Sequence, residues 1–194
     1  LATANALTTK HELADGIREA IEAALPAPPV EIGMVSLSTT LATNAVVEGQ
    51  GSPVCALLLG SDPETFHDVG IERIVARDNI VFLQGGHTGT GEELAPLDVE
   101  GAEEAIRRLS PRVSAFAVSG FFGVRNPTHE LRVRQLVRDM TGLPVTCGHE
   151  LTKQLNAPRR ALTVAMNARL IPLLTDLVQT VRSMLRSKGI QAPL

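Results

Sequence analysis

The sequence predicts an α/β fold, a mixed sheet with helices flanking it. Three observations carry this. Val54–Leu59 and Val113–Val118 are uninterrupted apolar runs of strand length, as strands buried on both faces require. From residue 98 onward helical and strand patterns alternate, which is how helices come to pack on a sheet. Hydrophobic residues make up 44% of the 194 residues, ample for a core, with five Phe and neither Trp nor Tyr. That core is therefore built from Val, Leu, Ile and Ala.

The elements follow in order. Leu1 starts inside an expected strand with no signal-peptide pattern before it, so the chain reads as a piece cut from a longer protein. Leu13 to Leu25 is helical, because Ile17, Ala20, Ile21, Ala24 and Leu25 recur at helical spacing. Ala27 to Pro29 is a loop, since Pro28 and Pro29 do not suit a helix interior. Ile32 to Leu37 is an apolar run that predicts a strand, followed by a short helix from Thr40 to Glu48 that Gly49 and Gly51 end. Ser61 to Gly70 is a turn and short helix, with Asp62 as cap and Pro63 at the first helical position. Ile74 to Leu83 holds one or two short strands, and the hairpin-like pattern of this half suggests mixed strand directions. Gly85 to Gly91 is too glycine-rich for an element and forms a loop or hairpin tip. It is not a phosphate loop, because no Gly-Lys-Ser/Thr follows it.

Asp98 to Leu109 is an amphipathic helix, Val113 to Val118 a buried strand, and Asn126 to Met140 a helix stopped by Thr141-Gly142-Leu143-Pro144. Val145 to Cys147 is a short strand. Pro158 to Leu185 is one long helical stretch with a kink expected near Pro172, and 187–194 is a tail. A change of character between Gly91 and Leu97 suggests sub-lobes 1–91 and 98–186.

Composition excludes several functions. The net charge is −3 and no basic run stands out, against a nucleic-acid partner. No apolar stretch approaches the roughly 20 residues of a membrane span, so no membrane partner is expected. Cys55 and Cys147 sit in separate apolar runs and read as buried thiols of a cytoplasmic protein rather than a disulfide or metal pair.

Three groups of residues carry candidate chemistry. Ser38-Thr39-Thr40 precede a helix start, with Thr43 and Asn44 one turn on. These read either as N-caps or as hydroxyls and free N–H groups that meet a polar ligand. His149-Glu150 follows a strand end, where α/β sites lie, and reads either as a helix cap or as a titrating pair. Cys147-x-His149 has no second ligand pair, so no metal is expected. Arg160, Thr163 and Asn167 recur at helical spacing and read as a polar stripe, either a buried network or a ligand contact. His129-Glu130 lies in the first turn of a helix, where acidic residues suit the dipole, and together with Arg132 and Arg134 reads as solvated charge.

Three ordered segments share a resemblance. Ser38-Thr39-Thr40-x-Ala42-Thr43-Asn44-Ala45-x-x-Glu48-x-x-Gly51 resembles the front signature of the hydantoinase/oxoprolinase family. Phe121-Phe122-x-x-x-Asn126-Pro127-x-His129-Glu130-x-Arg132 resembles its Asn-Pro-x-His-Glu segment. His149-Glu150 followed by Arg160, Thr163 and Asn167-Ala168 resembles its Ser-His-Glu segment, with Gly148 where Ser is usual. Leu1 to Leu25, with Thr8-Thr9-Lys10, resembles the family's opening strand and first helix.

The resemblance implies a ribonuclease-H-like lobe of an actin-like ATPase, incomplete at both ends. It also implies an ATP-dependent hydrolase that opens a cyclic amide, of the hydantoin or 5-oxoproline type, through a phosphorylated intermediate. ATP and Mg2+ would serve the longer protein, and none is expected bound to this piece, which lacks the phosphate-binding segments. His149 and Glu150 would be catalytic, and Thr39, Thr40, Thr43, Asn44, Arg160 and Asn167 would bind substrate. Partners would be a small cyclic amide, the remainder of the chain and a second hydantoinase-type subunit. Self-association of the piece would go through an apolar stripe from Leu170 to Val181. A non-catalytic regulatory or assembly subunit of the same superfold, or a small-molecule binding domain, remain the other readings.

Overall fold

Two strands, apolar throughout except for Ser119 in the second, form the middle of the sheet. The structure, a computed structural model, describes residues 2–6, 13–25 and 32–194. The expected loop at Ala27–Pro29 and the Thr8-Thr9-Lys10 segment lie outside these. The strands are β1 (Val54–Leu59), β2 (Ile80–Leu83), β3 (Ala115–Gly120) and β4 (Val145–Cys147), in the order β2-β1-β3-β4. Every residue of β1 and β3 is buried, the pattern of strands covered on both faces.

All three pairings are parallel, with Ala56 against Ile80, Leu57 against Val118, and Ala117 against Thr146. The α/β class and the flanking helices match expectation. The mixed strand directions do not, because Ile74–Leu83 supplies one strand preceded by 3-10 turns at Ile71–Arg73 and Arg77–Asn79 instead of a hairpin.

Alternation along the strands separates two cores. On one face Cys55, Leu57, Phe116 and Val118 meet helices α3 (Val99–Leu109) and α4 (Thr128–Thr141). On the other, Ala56, Ala115 and Ala117 meet Ala161, Ala165 and Ala168 of the long helix Ala157–Ser187, together with Phe66 and Ile71. Small residues on both surfaces let that helix lie close to the sheet. The cap at Asp62 and the stop at Gly142 are as expected: Asp62 Oδ1 accepts from Glu64 N at 2.9 Å, and Gly142 closes α4 with φ 68°; Asp98, expected inside α3, instead caps it, Oδ1 accepting from Gly101 N at 2.9 Å.

The described chain divides into two units, Leu1–Ala45 with Leu173–Leu194, and Val46–Pro172. The second holds the sheet. The sub-lobe boundary expected at Gly91–Leu97 falls inside it, because Asn126 Nδ2 donates to Gly91 O and Leu97 packs on the first core. In the first unit, helix α1 (Leu13–Ala24) places Ile17 and Ile21 against Leu177, Val181 and Leu185. Leu177 and Val181, which the sequence offered for self-association, are thus covered from within the chain, at 3% and 2% exposure.

Two expected strands do not form among the described residues. Residues 2–6 and 32–37 form no ladder; Val35 N instead donates to Pro193 O at 2.9 Å, and Met34 stays 72% exposed. Helix α2 (Leu41–Val47) follows, as expected. After β4 come a one-turn helix, α5 (Gly148–Leu151), and α6 (Ala157–Ser187), which runs on through Pro172. By length and composition α6 is apolar enough to cross a membrane, contrary to the sequence expectation. Its apolar residues supply the second and third cores.

Candidate functional site

A parallel sheet gathers the ends of its strands on one edge, and here each of β1, β3 and β4 reaches that edge in a glycine: Gly60, Gly120 and Gly148. β1 leads to β2 on one side and β3 to β4 on the other, so the chain diverges between β1 and β3, the place where open α/β sheets carry their sites. A glycine-rich strap crosses there. His87 N donates to Phe121 O at 2.9 Å and Phe121 N to Leu59 O at 2.8 Å.

Glu130, in the first turn of α4, is fully buried at this edge. Its Oε1 accepts from Gly120 N at 2.7 Å. Its Oε2 accepts from both the backbone N of His149, at 2.9 Å, and the ring Nδ1 of His149, at 2.5 Å. Glycines make the room. A Cβ at Gly123 would stand 2.3 Å from Oε1, and one at Gly148 would stand 3.0 Å from it. The latter gives a physical reason for glycine where the family resemblance expects Ser.

Arg160 is the largest fully buried side chain. It donates to Gly120 O at 2.6 Å and to Gln154 O at 2.7 Å, while Nε has no partner among the described residues. Burial pulls its guanidinium down from the ordinary value, and Glu130 opposes the change. Gly120 is therefore held twice, its N–H by the carboxylate and its carbonyl by the guanidinium.

Because a carboxylate only accepts, the bond to Glu130 puts a proton on Nδ1 of His149. Nε2 then has no partner among the described residues and is not sealed from solvent; the side chain keeps 18% of its surface. Cys147 Sγ donates to the backbone O of Glu130 at 3.7 Å. Burial first, then Glu130 and Glu150, pushes that thiol up to about 12. Glu130, Cys147 and His149 hold ligand-type atoms within 4.8 Å of one another. All three are engaged in hydrogen bonds, with a neutral thiol and a guanidinium at hand, which suits a hydrogen-bond network better than a cation site.

A pair of histidines, His87 and His129, lies next to Glu130 on the same edge. His129 Nδ1 accepts from Gly86 N at 3.0 Å, and its Nε2 meets Glu93 Oε1 at 2.9 Å. The His87 ring lies 4.4 Å from that of His129, and its Nε2 meets Thr128 Oγ1 at 3.1 Å. Its buried Nδ1 has no partner among the described residues.

The sequence candidates fall into separate places. Glu150 is exposed and pairs with Arg134, so the carboxylate on His149 is Glu130. Asn167 Oδ1 accepts from Thr146 Oγ1 at 3.3 Å, tying α6 to β4. Thr163 is exposed and bonds the Arg159 carbonyl of its own helix, so it does not share the buried side of Arg160. Thr39, Thr40, Thr43 and Asn44 belong to the other unit and are exposed. There Thr39 Oγ1 caps Leu41 N at 3.1 Å and Asn44 Nδ2 reaches Thr40 Oγ1 at 3.4 Å. Sequence reasoning placed Glu130 among solvated charges because it sits in a helix's first turn. Its signal was the Asn126-Pro127-x-His129-Glu130 segment.

A family described as the hydantoinase/oxoprolinase N-terminal region matches residues 1–141. The acetophenone carboxylase gamma subunit of Aromatoleum aromaticum is 24% identical over 221 residues, covering 94% of this chain and 30% of that protein. The caprolactamase subunit alpha of Pseudomonas jessenii is 34% identical over 107 residues, covering 53% and 15%. The crystal structure of the ATP-dependent caprolactamase from Pseudomonas jessenii superposes with a TM-score of 0.78 at 28% identity, over 97% of this chain and 31% of that one. The nucleotide-free acetone carboxylase shares the fold, with a TM-score of 0.73 at 19% identity over 97% and 31%. The chain thus spans about a third or less of the length of each of these proteins.

Proposed function

The chain belongs to the hydantoinase/oxoprolinase family, and from that premise we propose that it is part of an ATP-dependent enzyme that opens a cyclic amide through a phosphorylated intermediate. The observation that carries this is its likeness along nearly its whole length to the ATP-dependent caprolactamase. An amide is a poor electrophile, and activation of its oxygen makes attack at the carbonyl carbon downhill. A lactam, a hydantoin or 5-oxoproline fits this chemistry. The carboxylase relatives favour a second reading, in which the activated carbonyl is a ketone. The longer protein would be an actin-like ATPase and would work with a second hydantoinase-type subunit.

ATP with Mg2+ would supply the driving reaction, but the glycine-rich strap of this chain does not fit its phosphates. The N–H groups of Gly86, His87, Thr88 and Gly91 are all taken up inside the protein. The part proposed for this chain is the carbonyl side, at the sheet edge around His149. Arg160 and Glu130 hold the backbone of that edge, and Asn167 holds the helix that carries Arg160. Thr39, Thr40, Thr43 and Asn44 are proposed as substrate contacts of the other unit.

The test is ADP release by the longer protein with its partner subunit, against a panel of caprolactam, hydantoin, 5-oxoproline and a simple ketone. Stimulation by one or more amides is expected. Stimulation by the ketone alone would favour the second reading, and stimulation by none would overturn both.

A further inference from the structure

His149 has two ring nitrogens in unlike surroundings, and that asymmetry carries chemistry. Nδ1 is 2.5 Å from a carboxylate oxygen that is itself sealed from water. The same oxygen takes the backbone N–H of His149, so ring and main chain are fixed by one acceptor. Nε2 has no protein partner among the described residues, at the end of β4, on the edge where the strands deliver a site. Glu130 is held in turn by Gly120 N, and Gly120 O by the buried Arg160.

Resting on the amide-opening reading above, we propose that His149 Nε2 is the proton acceptor that activates the attacking water, and that Glu130 is its positioning residue. In the step, an O–H bond of the water breaks and an N–H bond forms at Nε2. The electron pair stays on the oxygen, which bonds to the carbon of the phosphorylated amide as the C=N pair moves onto the ring nitrogen. That nitrogen takes the proton from Nε2 and leaves as an amine when the ring C–N bond breaks, and the acyl phosphate left behind is split by a second water into carboxylate and phosphate. The imidazolium so formed lies against the Glu130 carboxylate, which never takes the proton. Gly120, at the end of the central strand β3, makes the arrangement rigid, because both its polar groups are bound. A general base so held contributes a factor of about 10²–10⁴.

A purely structural His149 would tie α5 to Glu130 through the same two bonds, and the experiment separates the two. First, two-bond proton–nitrogen correlation on this chain reads the tautomer of His149 directly. A proton on Nδ1 with Nε2 bare is expected; a proton on Nε2 of the neutral ring would overturn the proposal. In Glu130→Gln the Nδ1 proton resonance is expected to move upfield, as a charge-assisted bond becomes a neutral one. An unmoved resonance would remove Glu130 from its role. Should Glu130→Gln fail to fold, the wild-type tautomer and the next variant still decide.

Second, His149→Asn keeps an N–H where Nδ1 stood and removes the Nε2 lone pair. In the longer protein its kcat is expected to fall about 100-fold or more, with KM within about threefold. Unchanged kcat would overturn the proposal while leaving the amide-opening reading intact. A wild-type enzyme that opens no amide would overturn that reading and leave the tautomer to judge His149.

Discussion

At Glu130 three N–H bonds, from Gly120 and twice from His149, converge on a carboxylate that water does not reach. Truncation to alanine would leave the Gly120 and His149 donors without their acceptor and the buried Arg160 guanidinium without the nearby negative charge. Glu130→Ala is expected to lose about 3–5 kcal/mol in urea unfolding, the cost of breaking a buried charge network from one side. A loss below about 1 kcal/mol would place Glu130 among ordinary surface charges. His87 makes a pH prediction. Burial first, then the neighbouring His129, lowers it from 6.5, with Glu93 and Glu130 opposing. As pH falls below 6.5 the unfolded chain takes up this proton before the folded chain does. The contribution of His87 is thus intact above that pH and lost below it. The urea midpoint is expected to fall between about pH 7 and about pH 5.5, and to fall less in His87→Asn. Equal slopes would show that His87 titrates alike in both states. Cys55 and Cys147 are both buried with thiols pushed up to about 12, so neither should react with a thiol reagent until the chain unfolds.

The end of β1 shows how an element depends on one residue. Gly60 has φ 66°, and a Cβ there would stand 2.3 Å from Gly85 O. Gly142, at the end of α4, has φ 68° and open space around it. The two alanine variants share backbone strain and differ only in the clash. Gly142→Ala is expected to cost about 1–2 kcal/mol. Gly60→Ala should cost about 1–3 kcal/mol more, because the strap must shift. Equal costs would mean that the strap gives way freely. The same contrast explains what the sequence disclosed. The strands β1 and β3, the cap at Asp62 and the stop at Gly142 are local chemistry, readable from neighbouring residues. Ile32–Leu37 has the composition of a strand but no partner to pair with, and composition does not say so. Strand direction likewise leaves no mark on an apolar run. Glu130 is buried because Gly123 and Gly148, the latter on a distant stretch of chain, leave space for it. His149 was legible as a candidate; its true carboxylate was not, since the adjacent Glu150 turns to Arg134.

Across the molecule, two units share the chain, and the sheet with the Glu130–His149 pair lies wholly in one of them. The strap over its edge spends the N–H groups of Gly86, His87, Thr88 and Gly91 internally, so this chain alone is expected to bind ATP with Mg2+ more weakly than about 100 µM, or about 5.5 kcal/mol, by calorimetry. Tighter binding would show that a nucleotide cradle lies within these 194 residues. The proposal as a whole is that this fold serves an enzyme in which ATP consumption and amide opening are one process. The direct measurement is the ratio of ADP formed to amide opened by the longer protein with its partner subunit. Expected is one ADP for each ring opened, with no opening when ATP is withheld. Ring opening that proceeds at the same rate without ATP would contradict it.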